Sequence, residues 1–276
     1  MKNRLLLSIF PILLLSVAAF GQMGPPSNAN IQTDKRPQRK IEEIIQHFTQ
    51  KEAQFRDALK NYVFNRFATM QTIGMGGQIT GEYRRDSFMT INADGSRFEK
   101  ITFFPQPTMT ELTVTPEDLE DLGGVNPFAI DPQNVDKYNF NYLGMEKIDE
   151  LETFVFDVTP KVIPDPKKTK LRLFIGRIWV DAEDEMIVKT RGKAVPETKD
   201  NKFPIVESYR ENIDGKYWFP TYVSSDDELV FDDGSVHKLK MRVKYTNFKQ
   251  GRSDVRILDD SGDVKPDPTP TPKKPE

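Results

Sequence analysis

The sequence predicts an α+β fold, a large meandering antiparallel sheet of about 10–11 strands with a long N-terminal helix and a short helix. Three observations support this prediction. Apolar and polar residues alternate with a period of two along many segments, as they do in half-buried strands. Short turns rich in glycine and aspartate join these segments. One segment near the N-terminus instead has the apolar spacing of an amphipathic helix.

Residues 1–21 have the pattern of a secretory signal peptide. Lys2 and Arg4 form a short basic region, an apolar run follows, and Ala19-Phe20-Gly21 supplies the small residues of a cleavage site. An uncleaved membrane anchor is the alternative, but the apolar run is short for a spanning helix. We therefore expect a periplasmic or otherwise exported protein that is soluble after cleavage.

Composition shifts mark the ends of one folded domain. Residues 22–37 are polar and contain proline, which predicts a disordered leader, and residues 257–276 form a proline-rich tail that we also expect to be disordered. Residues 38–256 remain as a single domain, long enough to bury a sizeable core. The chain has no cysteine, so neither disulfides nor a thiol-linked lipid anchor are available to it.

The first half of this domain contains the helices and three strands. Apolar residues at spacings of three, four and seven predict an amphipathic helix over residues 38–60. Strands are predicted at 62–73, 79–91 and 97–104, because turn residues separate these alternating segments. A threonine, a proline and two acidic residues at 115–118 have the features of a helix start, which predicts the short helix. The apolar stripe of the first helix consists of Ile41, Ile44, Ile45, Phe48, Phe55 and Leu59.

The second half is a meander of further strands. Every second residue is apolar in two segments between residues 138 and 158. In the following strand the apolar residues change parity at Gly176, which predicts a bulge or a bend. The last strand, at 236–247, has one apolar and one basic face, as an antiparallel sheet with one solvated side allows. Its apolar residues are Leu239, Met241, Val243 and Tyr245.

Three segments in the middle of the chain resemble a known family. Residues 138–146, 154–161 and 178–189 read Y-N-F-N-Y-L-G-M-E, F-V-F-D-V-T-P-K and I-W-V-D-A-E-D-E-M-I-V-K. This succession resembles the periplasmic lipoprotein-carrier superfamily, which includes the outer-membrane lipoprotein-sorting carriers. The resemblance extends over roughly residues 40–250. It implies that the 10–11 strands form a curved antiparallel half-open β-barrel, with the long N-terminal helix and the short helix covering its concave face. Since cysteine is absent, it implies a soluble carrier and not the lipid-anchored receptor.

The polar residues give little support for catalysis or nucleic-acid binding. The chain has 39 Lys+Arg and 42 Asp+Glu, a formal net charge of −3, whereas nucleic-acid binders carry a basic excess. Its two histidines, His47 and His237, belong to distant predicted elements, so we expect no metal site, no cofactor and no enzyme activity. The acidic run at 181–185 lacks the spacing of a calcium loop and is typical of a solvated hairpin turn.

Aromatic residues are frequent, with 19 Phe, 8 Tyr and 2 Trp in the chain. For any one of them, an ordinary core position is the simplest interpretation. Collectively they could line an apolar cavity between the curved sheet and its helix, where acyl chains would bind. The candidate cavity residues are Phe64, Phe88, Phe103, Tyr142, Phe154, Phe156, Phe174, Trp179, Trp218 and Met241.

The predicted function is binding without catalysis. We expect a soluble monomer that shields a lipid or the acyl chains of a lipoprotein during transfer across the periplasm, with transient membrane contact and an envelope protein as a further partner. The alternative is a periplasmic sensing or interaction module of the same fold, whose surface binds a protein. A fully packed interior would favour the module, and an open apolar cavity would favour the carrier.

Overall fold

The computed structural model describes residues 26–91, 97–115, 130 and 132–251. Residues 116–124 of the predicted short helix, the predicted signal peptide and the predicted tail lie outside this part of the chain. Helix α1 spans Ile41–Leu59, and a 3₁₀ helix spans Pro132–Lys137. The strands are β1 Tyr62–Ile73, β2 Ile79–Ile91, β3 Arg97–Phe103, β4 Tyr138–Ile148, β5 Leu151–Pro160, β6 Leu173–Asp181, β7 Ile187–Val195, β8 Val206–Asn212, β9 Trp218–Val230 and β10 Val236–Gln250.

All ten strands belong to one antiparallel sheet in the order β3-β2-β1-β10-β9-β8-β7-β6-β5-β4. The sheet has two arms, β1 to β3 and β4 to β10, and within each arm strands that are consecutive in the chain pair with each other. The pairing of β1 with β10 joins the two arms. The edges are β3 and β4, and among the described residues no strand pairing connects them. The sheet is therefore open, which confirms the predicted half-open antiparallel sheet of about 10–11 strands.

Helix α1 packs on the concave face of this sheet. Phe48 contacts Phe156 in β5 with 5.7 Å between ring centroids, and Phe55 contacts Phe219 in β9 at 5.5 Å. Strands lie about 4.8 Å apart, so the four steps from β5 to β9 would span about 19 Å in a flat sheet. A helix is only about 10–12 Å in diameter. The sheet therefore curls around α1, and this curvature leaves a hollow beside the helix.

The described part of the predicted disordered leader, from residue 26 onward, packs against the convex face. Gln32 and Met145 form an isolated antiparallel bridge, with N–H to carbonyl distances of 2.7 and 3.2 Å. Ile31 is buried there. Gly144 has φ +143°, and a Cβ on it would lie 2.5 Å from the Gln32 carbonyl oxygen, so glycine permits this approach. A single isoleucine is a weak signal in a sequence, and backbone hydrogen bonds leave no signal. This explains why the sequence predicts disorder for a segment that packs on the sheet.

Candidate ligand-binding cavity

A cavity of about 430 Å³ lies between the concave face of the sheet and two segments that cross over it. Its floor comes from β1, β7, β8, β9 and β10. The first half of α1 packs on another part of the sheet, where Phe48 contacts Phe156 in β5. The side chains of this floor are mostly aliphatic or thioether groups. They are Met70, Ala194, Val206, Val223, Leu229, Leu239, Met241, Val243 and Tyr245.

Strand β10 contributes most to the floor because its alternation is strict. Leu239, Met241, Val243 and Tyr245 are buried, whereas the intervening basic residues are partly or fully exposed. This is the pattern predicted from the sequence, and it follows from the two-residue period of a strand. Burial raises the pKa of the Tyr245 phenol to about 12 despite the nearby Arg66 guanidinium. The floor therefore carries no charge at neutral pH.

One roof of the cavity is the segment 104–115, here called the strap. Its backbone joins β2 at Thr108, whose N–H donates to the Glu82 carbonyl at 2.9 Å and whose hydroxyl accepts the Glu82 N–H at 3.0 Å. Met109 crosses directly over Gly81, where an added Cβ would lie 2.5 Å from the Met109 Cα. Further along, a Glu111 carboxylate lies 3.6 Å from His237. The Phe104 ring packs on Tyr83 at 5.5 Å, and the strap's Met109, Leu112 and Val114 pack against the core. Most strap residues are nevertheless exposed.

The second roof is the loop 200–205, which is fixed more firmly. The Ile205 N–H donates to the Asp227 carboxylate at 2.7 Å, and the Ile205 carbonyl accepts the Ser225 hydroxyl at 2.7 Å. Asp227 and Ser225 are both buried on the concave face of β9. The Phe203 ring lies under the guanidinium of Arg172 at 4.7 Å. Because buried polar groups are costly to separate, this loop resists opening more than the strap does.

Charged groups surround the cavity at its rim. Glu111, Arg172, Asp200 and Lys202 all line it, and Lys202 also binds Asp232 at 2.7 Å. An apolar floor with a charged rim suits an amphiphile whose head group stays in water. Within the described residues, no three His, Cys, Asp or Glu side chains are grouped so that they could hold a metal ion. In the same residues, no helix combines the length and apolarity that a bilayer-crossing helix needs.

No family model matches this chain, and no curated protein matches it. Solved structures of similar fold include a DUF1329 family protein from Desulfovibrio piger, which is 13% identical, with a TM-score of 0.38 and coverage of 79% of this chain and 97% of that one. A LolA superfamily protein from Nitrosomonas europaea is 16% identical (TM-score 0.34, coverage 79% and 98%). A putative outer membrane lipoprotein-sorting protein domain from Vibrio parahaemolyticus is 12% identical (TM-score 0.34, coverage 79% and 96%).

The structure brings one of the ten predicted cavity residues, Met241, to the cavity. Most of the large aromatic side chains instead fill the core on the concave face. Tyr142 is partly buried against this core, and its hydroxyl donates to the Lys35 carbonyl at 3.1 Å. The predicted residues that are fully part of this core are Phe64, Phe154, Phe156 and Phe174.

The remaining predicted residues lie elsewhere. Trp179 faces the convex side, where it packs with Ile31 and its indole N–H donates to Glu146 at 2.7 Å. Trp218 is partly buried, and its indole N–H donates to Asp184 at 2.8 Å. The other two, Phe88 and Phe103, lie on the convex face of β2 and β3.

The predicted residues are mostly large rings, whereas smaller side chains line the cavity. Large rings fill space, so a cavity persists where the concave side chains are smaller, on β7 to β10 and β1. The signal was present in the strict alternation of β10, which names Leu239, Val243 and Tyr245 as well as Met241. No sequence pattern indicates the strap, because its hydrogen bonds join residues far apart in the chain, Thr108 and Glu82.

Proposed function

We propose that this chain is an exported, non-catalytic carrier that shields one acyl chain, of a lipid or a lipoprotein, in the concave cavity during transfer across the periplasm. The cavity of about 430 Å³ is the observation on which the proposal depends. Pockets that take small organic ligands have volumes of about 300–1,000 Å³. Apolar cavities exclude water and accept apolar guests, so an acyl chain fits this floor better than a polar ligand.

The size of the hydrophobic effect makes this proposal quantitative. Each buried methylene contributes about 0.8 kcal/mol, which is about fourfold in the dissociation constant at 25 °C. Affinity for fatty acids should therefore rise about fourfold per methylene and then level off when the cavity is full. The head group would remain at the rim, near Arg172 and Lys202, where it keeps contact with water.

Entry would occur by movement of the strap. The hydrogen bond of its Thr108 hydroxyl with β2 is exposed and its Glu111–His237 pair is partly exposed, whereas partly buried hydrogen bonds to β9 anchor the loop 200–205. Displacing the strap exposes the floor without breaking any pairing between strands. Release to an acceptor would use the same movement, so binding requires no covalent chemistry.

The first experiment is native mass spectrometry of the mature protein from its own compartment, followed by solvent extraction. A lipid or acylated peptide released in near-stoichiometric amount would support the carrier and name its cargo. A clean apo mass, together with no uptake of added fatty acids, would overturn the proposal. The protein would then be better described as a sensing or interaction module.

A matched pair of variants tests where the ligand binds. Met241→Trp fills the cavity from its floor, while Met75→Trp places the same substitution in a fully exposed turn between β1 and β2. The affinity for a fluorescent fatty acid should fall at least about tenfold in Met241→Trp, since a filled cavity excludes several methylenes. It should be unchanged in Met75→Trp. Equal affinity in both variants would place the ligand elsewhere.

A further inference from the structure

The convex face of β10, β1, β2 and β3 combines exposed aromatic rings with basic side chains. In strands, residues directly opposite each other share a face. Lys244 lies opposite Phe67, Phe67 opposite Asp86, and Asp86 opposite Phe103, so this row crosses four strands on the outer side of the sheet. We call this surface the basic-aromatic face. Its members are Phe67, Arg84, Phe98, Lys100, Phe103, Arg242 and Lys244.

The three rings of this face are unusually open to solvent. Phe67, Phe98 and Phe103 are 41%, 47% and 49% exposed. Phe67 and Phe103 are two strands apart, about 10 Å at ordinary strand spacing. Large apolar side chains that cluster on a surface mark a site of interaction with a protein or a membrane.

The charge of the face is positive although the whole chain is slightly acidic. Arg84, Lys100, Arg242 and Lys244 are all exposed. Two carboxylates share this side of β2. Asp86 is buried and binds Arg84 at 2.7 Å, and Glu82 accepts a hydrogen bond from Gln71 at 2.6 Å, so the four cations still exceed the carboxylates. With a formal net charge of −3 for the chain, this local excess is a property of the face and not of the composition.

The same strand lacks this excess at its other end. Lys240 lies opposite Asp226 with 3.7 Å between their charged groups, and Lys238 lies opposite Glu228. Carboxylates on β9 thus neutralise the basic residues there. Positive potential is therefore concentrated where the exposed rings are.

We propose that the basic-aromatic face docks the protein on an anionic membrane surface. Lysine and arginine beside an anionic leaflet each contribute about fivefold to binding, and aromatic rings enter the interfacial zone beside them. The long stems of Lys100 and Lys244 let their ammonium groups reach head groups while the rings insert. Phe67, Phe98 and Phe103 are spread over a strand surface and lie next to basic groups, an arrangement that suits a fluid bilayer without shape complementarity.

Docking in this way leaves the cavity free, because the two surfaces are opposite faces of one strand. Met241 and Val243 line the cavity, while Arg242 and Lys244 point away from it. The proposal consequently does not depend on what the cavity binds. It assigns a second lipid-facing role to the outer side of the sheet.

The test is co-sedimentation of the mature chain with vesicles of phosphatidylcholine, with and without phosphatidylglycerol. Lys100→Gln/Lys244→Gln removes two charges from the face, and Lys238→Gln/Lys240→Gln removes two from the neutralised end of β10. The first pair should lower the partition coefficient on anionic vesicles about 25-fold, at about fivefold per charge. The second double variant has the same net charge as the first. It should change the partition coefficient less than about threefold, since β9 carboxylates already neutralise those lysines.

Two further variants separate the rings and the cavity. Phe67→Ser/Phe103→Ser changes exposed side chains and should also weaken binding to anionic vesicles, while Met241→Trp should bind them like the wild type. Equal losses in both lysine pairs would reduce the effect to general electrostatics and overturn the proposal. Failure of the wild type to bind anionic vesicles would also overturn it, and an acidic protein partner would then be the better occupant.

Discussion

A buried ion pair between α1 and β8 offers the sharpest test of how the helix is held on the sheet. Glu52 and Arg210 are both completely buried, and the guanidinium donates two hydrogen bonds to the carboxylate at 2.6 and 3.1 Å. Arg210 also lies over the Phe55 ring at 5.3 Å. The substitution Arg210→Met keeps a side chain of similar length but removes the charge that faces Glu52.

The expected loss follows from desolvation. Removing one partner of a buried pair takes away the charge that faces the other, which costs about 3–5 kcal/mol. With a urea m-value of about 3 kcal/mol/M for a domain of this size, the unfolding midpoint should fall by about 1–1.7 M. The double variant Glu52→Met/Arg210→Met removes both charges, so most of the loss should be recovered.

Urea unfolding followed by tryptophan fluorescence measures these changes, with Trp179 and Trp218 as probes. Lys60→Met is the control, because it breaks an exposed pair with Asp57 at 2.8 Å and should leave the midpoint almost unchanged. A loss in Arg210→Met as small as in the control would refute the reasoning. So would a double variant as unstable as Arg210→Met, since the cost would then come from packing and not from the loss of the facing charge.

Three further predictions concern the strap and two titrating groups. Gly81→Ala should push Met109 away, and hydrogen exchange should accelerate in the strap while β10 stays protected. Burial raises the pKa of Tyr245 in the folded state to about 12. The free energy of unfolding should therefore fall by about 3 kcal/mol as the pH rises from about 10 to 12. In Tyr245→Phe the free energy of unfolding should depend less on pH in that window. Burial would raise the pKa of Glu99, but hydrogen bonds, chiefly from Arg85, outweigh burial and lower it. Glu99→Gln should therefore destabilise at neutral pH, and its difference from wild type in acid titrations should shrink as the pH falls below the unfolded-state pKa.

Much of the fold could be predicted because local patterns determine it. The helix predicted at residues 38–60 is α1, and the alternation in β10 fixes which side chains face inward. The predicted turn at Asp214-Gly215 lies between β8 and β9, where a hairpin connection is expected. In these cases period and turn chemistry agree, and no distant contact is needed to decide between alternatives.

Features that depend on distant contacts were less predictable. Gly176 changes the parity of apolar residues, but the register of β6 against β7 shifts between Trp179 and Val180 instead. The role of Gly176 is steric, because a Cβ there would lie 2.2 Å from the Arg191 carbonyl oxygen and 2.8 Å from the Phe174 ring. A glycine that makes room for a neighbouring strand and one that forms a bulge look the same in sequence.

The candidate site was predicted only in outline for a related reason. Periodicity gives the face on which a side chain lies, but it does not tell which of the two faces curls around the helix. Trp179 and Phe103 lie in predicted strands as Met241 does, yet they lie on the convex side. The curl is visible only in contacts such as Phe55 with Phe219, between residues far apart in the chain.

Strand β10 is the element on which both proposed surfaces depend. It pairs with β1 and β9 in the middle of the sheet, so its register is fixed from both sides. Its odd-numbered residues 239–245 belong to the cavity floor, and the even-numbered Arg242 and Lys244 belong to the basic-aromatic face. Since a slip by one residue would place lysines in the cavity, the burial of the floor stabilises the register that also keeps the basic groups outside. The apolar interior and the cationic exterior are thus two consequences of one alternating segment.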